Sequence, residues 1–306
     1  MTPRLFITAP EVWARYGEHF AGLAQRVEFV TSTAREEVSR RFDDIEASEV
    51  YGVGGGQAID IAKYIGARLG CKVIAIPTII SVDAFLVGDS ALREGGRVVY
   101  VPTKKPDEVV IKPDIVLSAP RRMNCAGWGD VLSIITAVWD WRAAHEDMGE
   151  PFDQDIANQA LALTEQATPV NGAAALERLV SALRAEVALC ELWGNARPEE
   201  GSEHFFVYTL ENHLPPTKFL HGELVGLGIY HMAQWQGQDA DRIAALMDRA
   251  GLVWRPRDTG DAPASLRSRA ARDTGVPAEA IAAALDELPQ RAAEFSYPYS
   301  VINRRR

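Results

Sequence analysis

The chain has 306 residues, of which 47% are hydrophobic and 24% charged, and its formal net charge is -10. This composition predicts one or two globular domains and excludes a disordered, collagenous or disulfide-rich chain. The acidic balance argues against nucleic acid or an anionic membrane as a partner, since both need basic surfaces. Anionic small molecules stay open, because one pocket can be positive on an acidic protein.

Short β-rich runs alternate with helical patterns in the first 118 residues. Strands are predicted at 4–9, 26–31, 48–54 and 72–78, and helices at 11–24, 34–47 and 57–70. Helices of this length between strands predict right-handed βαβ units and a parallel sheet. Two further β-rich runs follow within residues 95–113.

From about residue 119 the pattern becomes helical almost throughout, as in the apolar stretch at 130–146 and the amphipathic one at 174–194. The sequence thus predicts an α/β domain over 1–118 and an all-helical domain over 119–306. Three scattered cysteines, without a Cys-x-x-Cys pair, are typical of a reducing cytoplasm. No signal peptide or membrane-spanning stretch is apparent, so we expect a cytoplasmic protein.

Three consecutive glycines, Gly54, Gly55 and Gly56, lie between the third predicted strand and a helix. The spacing is not GxGxxG, because Gln57 stands where the last glycine would be, and it is not a P-loop. A glycine turn before a helix nevertheless exposes backbone N–H groups at the positive end of the helix dipole. We therefore predict anion binding here, with a tight turn that only packs helix on sheet as the alternative.

Two of the six histidines have unusual settings. His204 is predicted just inside a helix that Ser202 caps, and His221 at the beginning of the next helix. Neither forms a HExxH motif, so spacing alone does not identify a metal site. His213 and His231 follow these two residues by nine and ten positions, which places them on other helical faces.

Asp130, in "AGWGD", precedes a long apolar helix. Its role is open between a helix N-cap, which aspartate forms well, and a metal ligand. Asp140 lies in the middle of the same apolar helix, where it is either a buried polar partner or a surface residue.

An ordered set of segments gives the chain a family resemblance: "GGGQAIDIAK", "IPTIISVDA", "VPTKKPDEVVIKPDIVLSAPRR", "AGWGD", "GSEH" and "HGELVGLG". The set resembles the metal-dependent polyol dehydrogenases, relatives of dehydroquinate synthase and the iron-containing alcohol dehydrogenases, and leans toward the glycerol-1-phosphate branch. The resemblance implies an N-terminal parallel-sheet nucleotide-binding domain followed by an all-helical metal-binding domain.

The resemblance also implies a site. Asp130, His204 and His221 would bind a divalent metal, with zinc expected first and nickel or iron as alternatives. The cofactor, NAD or NADP, would contact Gly54, Gly55, Gly56, Asp60, Lys63, Thr78 and Ser81. Asp83 would lie next to the substrate hydroxyls as the catalytic residue.

The implied chemistry is the interconversion of a small polyol, or its phosphate, and the corresponding ketone. A divalent ion lowers the pKa of the hydroxyl that is oxidised, the nicotinamide accepts the hydride, and Asp83 or a water relays the proton. Four cations are candidates for binding a substrate phosphate, with solvated surface charges as the alternative: Lys104, Lys105, Arg121 and Arg122. A homo-oligomer is left open.

Three departures from the family pattern keep other functions open. The chain begins almost at the first strand, whereas the family has a further N-terminal segment. Ala9 and Pro10 stand where an acidic residue commonly holds the adenosine ribose, so NAD and NADP are both open. Val82 replaces a histidine of the glycerol-1-phosphate branch. The alternatives are a sugar-phosphate cyclase of the dehydroquinate synthase type and a degenerate, non-catalytic homologue.

Overall fold

The structure, a computed structural model, describes residues 3–215, 219–256 and 274–294. The chain divides into two compact units, Met1–Pro120 (unit 1) and Arg121–Arg306 (unit 2). Unit 1 is an α/β unit, and the secondary structure of unit 2 is helical within its described residues, which confirms the predicted fold class.

Unit 1 is built on a five-stranded, wholly parallel sheet with the strand order β2-β1-β3-β4-β7. Its elements, in chain order, are β1 (Arg4–Thr8), α1 (Pro10–Tyr16), β2 (Arg26–Phe29), α2 (Arg35–Arg41), β3 (Glu49–Gly54), α3 (Gly56–Leu69), β4 (Lys72–Pro77), β5 (Asp89–Glu94), β6 (Arg97–Pro102), β7 (Glu108–Val109) and α4 (Pro113–Ser118).

The order in which the chain adds strands to the sheet reverses between β1 and β3. From β1 the chain crosses to one side, to β2, and from β3 it crosses to the other side, to β4. In open parallel sheets, ligands bind outside the carboxyl ends of the strands at such a switch point. Thr8, at the end of β1, pairs in register with Val53, just before the glycines. The glycine turn therefore lies at the place where this architecture binds ligands.

One strand was not predicted. β5 pairs with β6 in an antiparallel hairpin outside the parallel sheet. Its sequence, DSALRE, has few β-forming residues, so a strand pattern is weak there. The Gly95-Gly96 pair is a stronger signal, because two-residue hairpin loops favour glycines. In the structure both residues have positive φ, as such a loop requires.

Two predicted helices are shorter in the structure. α1 ends at Tyr16 and a 3-10 turn, Gly17–Phe20, follows it, whereas the helix was expected to continue to residue 24. Glycine at position 17 is a poor helix former, which weakens the pattern at that point. α2 ends at Arg41 instead of residue 47.

Unit 2 consists of helices in its described residues: α5 (Arg121–Cys125), α6 (Trp128–Met148), α7 (Gln154–Thr164), α8 (Ala173–Trp193), α9 (Ser202–Leu210), α10 (His221–Gln236), α11 (Ala240–Ala250) and α12 (Ala278–Glu294). α6 is buried along most of its length, and Trp128 and Trp141 are fully enclosed. α9 and α10 both pack against it. No helix in the described ranges combines the length and apolar character that crossing a bilayer requires.

Candidate metal centre and nucleotide turn

Three helices of unit 2 bring Asp130, His204 and His221 together. Each side chain offers one ligating atom, and these atoms all lie within 4.8 Å of one another. Asp130 lies in the first turn of α6, His204 in the first turn of α9, and His221 is the first residue of α10. Asp130 and His204 are buried, with 3% and 5% of their surface exposed. The three predicted metal ligands thus converge on one point.

The crossing of α6 and α10 explains how Asp130 and His221 meet. A Cβ atom on Gly129 would lie 2.3 Å from the carbonyl oxygen of Gly222 and 2.5 Å from its Cα. The backbones of the two helices are therefore in direct contact, one residue before Asp130 and one residue after His221. No side chain larger than hydrogen fits at position 129.

α9 is held equally closely by its two neighbours. A Cβ atom on Gly201, before α9, would lie 2.7 Å from the Cα of Ala137 in α6. A Cβ atom on Gly228 in α10 would lie 2.7 Å from the carbonyl oxygen of Glu203. Bare backbone at these contacts lets α9 approach both helices that carry the other two predicted ligands.

The structure answers two questions about helix starts: it excludes one of the two roles considered for Asp130, and the expectation that Ser202 caps a helix was wrong. α6 begins at Trp128 with Gly127 as its N-cap, so Asp130 is inside the first turn and is not the cap. α9 begins at Ser202 with Gly201 as its N-cap, and the Ser202 side chain makes no capping bond.

Asp140 performs the task expected of a cap at the start of α9. It is fully buried, and its Oδ2 accepts a hydrogen bond of 2.8 Å from the backbone N–H of Ser202. Of the two roles considered for Asp140, the structure shows the buried polar partner.

The other two histidines discussed lie away from the ligand cluster. His213 is in a 3-10 turn, where its Nε2 is 3.2 Å from Glu287 Oε1. The ring of His231 packs against that of Phe206, with centroids 5.7 Å apart. The rings of His204 and His221, by contrast, are 5.4 Å apart.

The electrostatics of the two clustered histidines differ. Burial lowers the pKa of His221, and the charge of His204 lowers it further. Burial also acts to lower the pKa of His204, but the hydrogen bond that its imidazole donates to Glu203 and the charges of Glu200 and Asp130 outweigh burial and raise that pKa. Carboxylates therefore surround the imidazole of His204, whereas the lowered pKa of His221 favours its neutral form.

The donor set fits a borderline divalent ion. One carboxylate and two imidazoles are ligands that Zn²⁺ accepts, and neutral imidazole is the ligating form. Ligand atoms around a tetrahedral zinc ion lie about 3.4 Å apart, so small side-chain movements from the observed spacing suffice. Three protein ligands leave a coordination position for a substrate, as in catalytic rather than structural zinc sites.

The glycine turn of unit 1 provides the second candidate site. Gly54 has a φ of 154°, which favours glycine, and α3 begins at Gly56 without a side-chain cap on its N-terminus. At the start of the helix the backbone N–H groups of Gly56 and Gln57 have no intrahelical acceptor and are available to an anion, whereas that of Ala58 donates to the carbonyl of Gly55 at 3.1 Å. A Cβ atom on Gly55 or Gly56 would lie 3.1 Å from Ile79 or 3.0 Å from Val82, so the bare backbone also serves packing.

Thr78, Ser81 and Asp83 lie in the segment that follows β4. The backbone N–H of Thr78 donates to the carbonyl of Gly54 at 2.9 Å, which ties this segment to the glycine turn. Thr78 and Ser81 are buried, and Asp83 is half-buried in a turn closed by a bond from Leu86 N to its carbonyl. The predicted cofactor residues after β4 therefore adjoin the turn.

Asp60 and Lys63 contact protein groups. The Lys63 ammonium is fully buried and lies 2.9 Å from Asp60 Oδ1. It also donates to the carbonyls of Ala84 at 2.8 Å, Val87 at 3.3 Å and Asp89. These bonds fasten the segment that carries Asp83 to α3; direct contact of Asp60 or Lys63 with a nucleotide stays a prediction.

Two of the four candidate phosphate-binding cations are paired with carboxylates. Lys104 lies 2.7 Å from Asp107, and Arg122 makes a bidentate bond of 2.5 and 2.6 Å to the buried Glu223. Both charges are thereby largely compensated within the protein.

Comparison with known proteins is consistent with this arrangement. The family model described as iron-containing alcohol dehydrogenase matches residues 17–120. The chain is 35% identical to a glycerol-1-phosphate dehydrogenase [NAD(P)+] of Hyperthermus butylicus, over 83% of this chain and 76% of the relative. It is 33% identical to the protein of the same name from Aeropyrum pernix, over 84% and 77%.

The fold has solved counterparts. A probable glycerol dehydrogenase from Sinorhizobium meliloti superposes with a TM-score of 0.67 at 18% identity, covering 96% of this chain and 92% of that one. The relatives found by sequence have 33–35% identity to this chain, against 18% for this structure, and they therefore decide the family. The chain belongs to the glycerol-1-phosphate dehydrogenase family.

Proposed function

We propose that the protein is a metal-dependent, NAD(P)-linked dehydrogenase that interconverts sn-glycerol 1-phosphate, or a closely related polyol phosphate, and its ketone. The observation that carries the proposal is the convergence of Asp130, His204 and His221 within 4.8 Å. The names of the sequence relatives supply the substrate and the cofactor class.

The residues divide the work between two sites. Asp130, His204 and His221 would hold a divalent ion, zinc in the first instance, which supplies Lewis-acid polarisation of the alcohol or ketone oxygen. The first turn of α3 would bind the cofactor diphosphate through backbone N–H groups. Asp83 would pass the proton between the reacting hydroxyl and solvent.

The test is a cofactor-oxidation assay with stripped and reloaded protein. The protein is freed of metal with a chelator, reloaded with Zn²⁺, Ni²⁺ or Fe²⁺, and mixed with NADH or NADPH and dihydroxyacetone phosphate. We expect net oxidation of at least one cofactor, faster with the phosphate than with dihydroxyacetone itself.

The same assay, together with a fluorescence titration of cofactor binding, separates the alternatives. A cyclase of the dehydroquinate synthase type oxidises its substrate only transiently, so it gives no net turnover of the cofactor. A degenerate homologue leaves the fluorescence of NADH and of NADPH unchanged on titration. Either result with metal-loaded protein contradicts the proposal.

A further inference from the structure

A second buried carboxylate lies next to the predicted ligands. Glu203 directly precedes His204 in α9, and its side chain is completely enclosed. Burying a carboxylate without hydrogen bonds costs much free energy, so the hydrogen-bond partners of Glu203 indicate its structural role.

Glu203 has three hydrogen-bond partners, one of them the imidazole of His204. Its Oε1 is 2.9 Å from His204 Nδ1 and accepts a 2.6 Å bond from the backbone N–H of Gly201. Its Oε2 accepts a 2.6 Å bond from the hydroxyl of Thr136, which belongs to α6. The carboxylate thus joins the start of α9 to the helix that carries Asp130.

The bond to Nδ1 determines which nitrogen of His204 can bind a metal. A carboxylate accepts, so Nδ1 carries a proton, and in the neutral imidazole, the form that binds a metal, the lone pair is then on Nε2. In metal sites, a carboxylate on the far nitrogen fixes the ring orientation and makes the imidazole a stronger ligand. The contacts of Glu203 with Gly201 and Thr136 hold the carboxylate itself in place.

We infer that Glu203 is a positioning residue of the metal centre, which orients His204 so that Nε2 is its ligating atom and strengthens that bond by its negative charge. The inference rests on the proposed function, because it presupposes that the cluster holds a divalent ion. It assigns to Glu203 no contact with the substrate or the cofactor.

The test compares the metal affinity of two Glu203 variants by competition with a chromogenic chelator. Glu203→Ala removes the acceptor and the charge, whereas Glu203→Gln keeps an oxygen acceptor for Nδ1 but removes the charge and replaces the second oxygen by an NH₂ group, which Thr136 can accept from. Loss of such an outer partner costs about 10- to 100-fold in metal affinity. We expect about 100-fold weaker zinc binding for Glu203→Ala and about tenfold for Glu203→Gln, with an altered visible spectrum of the Co²⁺-substituted protein.

Glu186→Gln is the matched control, since Glu186 is a buried carboxylate on α8, a helix without a predicted ligand. It is expected to keep the wild-type affinity and Co²⁺ spectrum. Affinities within twofold of wild type for both Glu203 variants would overturn the inference, and Glu203→Gln alone decides it if Glu203→Ala does not fold. If the wild-type protein binds no divalent ion, the proposed function itself fails, which is a distinct result.

Discussion

His221 and His231 lie on the same helix, α10, but in different surroundings. His221 begins the helix and belongs to the cluster of potential ligand atoms, whereas His231 packs against the ring of Phe206. Helical geometry predicted this difference, because ten residues are not a whole number of turns. The pair therefore offers a test in which each histidine is the control of the other.

Substitution of His221 by Asn should remove most of the metal affinity. Zinc binding by a four-ligand site releases roughly 10–16 kcal/mol, or about 3 kcal/mol for each ligand, so a loss of at least about 100-fold is expected. The measurement is zinc affinity by chelator competition. His231→Asn should bind zinc like wild type; equal losses in both variants would contradict the assignment of His221.

Asp60 should give stability an unusual dependence on pH. Burial raises its pKa to about 6, although Lys63 acts in the opposite direction. Because the folded-state pKa is above the ordinary value, the contribution of Asp60 to stability is present at low pH and is lost as the pH rises through about 6. This direction is opposite to that of most carboxylates.

The difference in unfolding free energy between the wild type and Asp60→Asn isolates this contribution. The free energy of unfolding of the wild type should fall relative to that of Asp60→Asn as the pH rises from about 4 to 7. Both are measured by urea unfolding followed by circular dichroism. A difference that is constant over this range, or moves the other way, would show that the carboxyl group titrates normally in the folded protein.

At the scale of elements, bare backbone at helix crossings forms the candidate metal centre. The contact of Gly129 with Gly222 brings α6 to α10, and Gly201 and Gly228 bring α9 to both. Packing of this kind tolerates added volume poorly, because the neighbouring atoms belong to the backbone and cannot rotate away.

Replacement of Gly129 by Ala should therefore separate α6 from α10. We expect destabilisation by about 2 kcal/mol or more and a large loss of zinc affinity, since Asp130 and His221 move apart. Gly172→Ala is the control, because a Cβ atom there has nothing within 4 Å and the φ of 172° is extended. A Gly129→Ala protein with wild-type zinc affinity would show that the crossing does not shape the site.

The sequence allowed most elements to be predicted, but not how they meet. Alternating strand and helix patterns depend on near neighbours, so the parallel sheet of unit 1 and the helical character of the described part of unit 2 were predicted correctly. The three predicted metal ligands came from the family resemblance. Spacing along the sequence shows on which face of its own helix a residue lies, but not which residues of α6, α9 and α10 lie close together. The glycines in "AGWGD", "GSEH" and "HGELVGLG" were the available signal for close crossings. Glu203 was not singled out, since nothing in a sequence shows which carboxylate will be enclosed.

For the whole molecule, a bound ion should act as a stabiliser of unit 2. An ion that binds the folded form alone stabilises it by about 2.7 kcal/mol at a free concentration of 100 times Kd. For a unit of this size, such a change corresponds to roughly 5–10 °C in melting temperature.

Chelation should lower the melting temperature by that amount, and added Zn²⁺ should restore it. Tryptophan fluorescence is a suitable probe, because six of the seven tryptophans lie in unit 2. A melting curve that neither chelator nor zinc displaces, in protein with His221 intact, would contradict binding at the cluster.

The enclosure of Lys63 has a consequence for covalent chemistry. An ammonium group with no exposed surface, held by Asp60 and three carbonyls, cannot meet an acylating reagent while unit 1 is folded. The side chain of Lys72, by contrast, is 45% exposed and accessible to the reagent. Under brief treatment with an amine-reactive ester, mass spectrometry should find Lys72 acylated and Lys63 untouched, and acylation of Lys63 should begin only where denaturant opens the sheet. The rate at which Lys63 is acylated would then report the rate at which unit 1 opens.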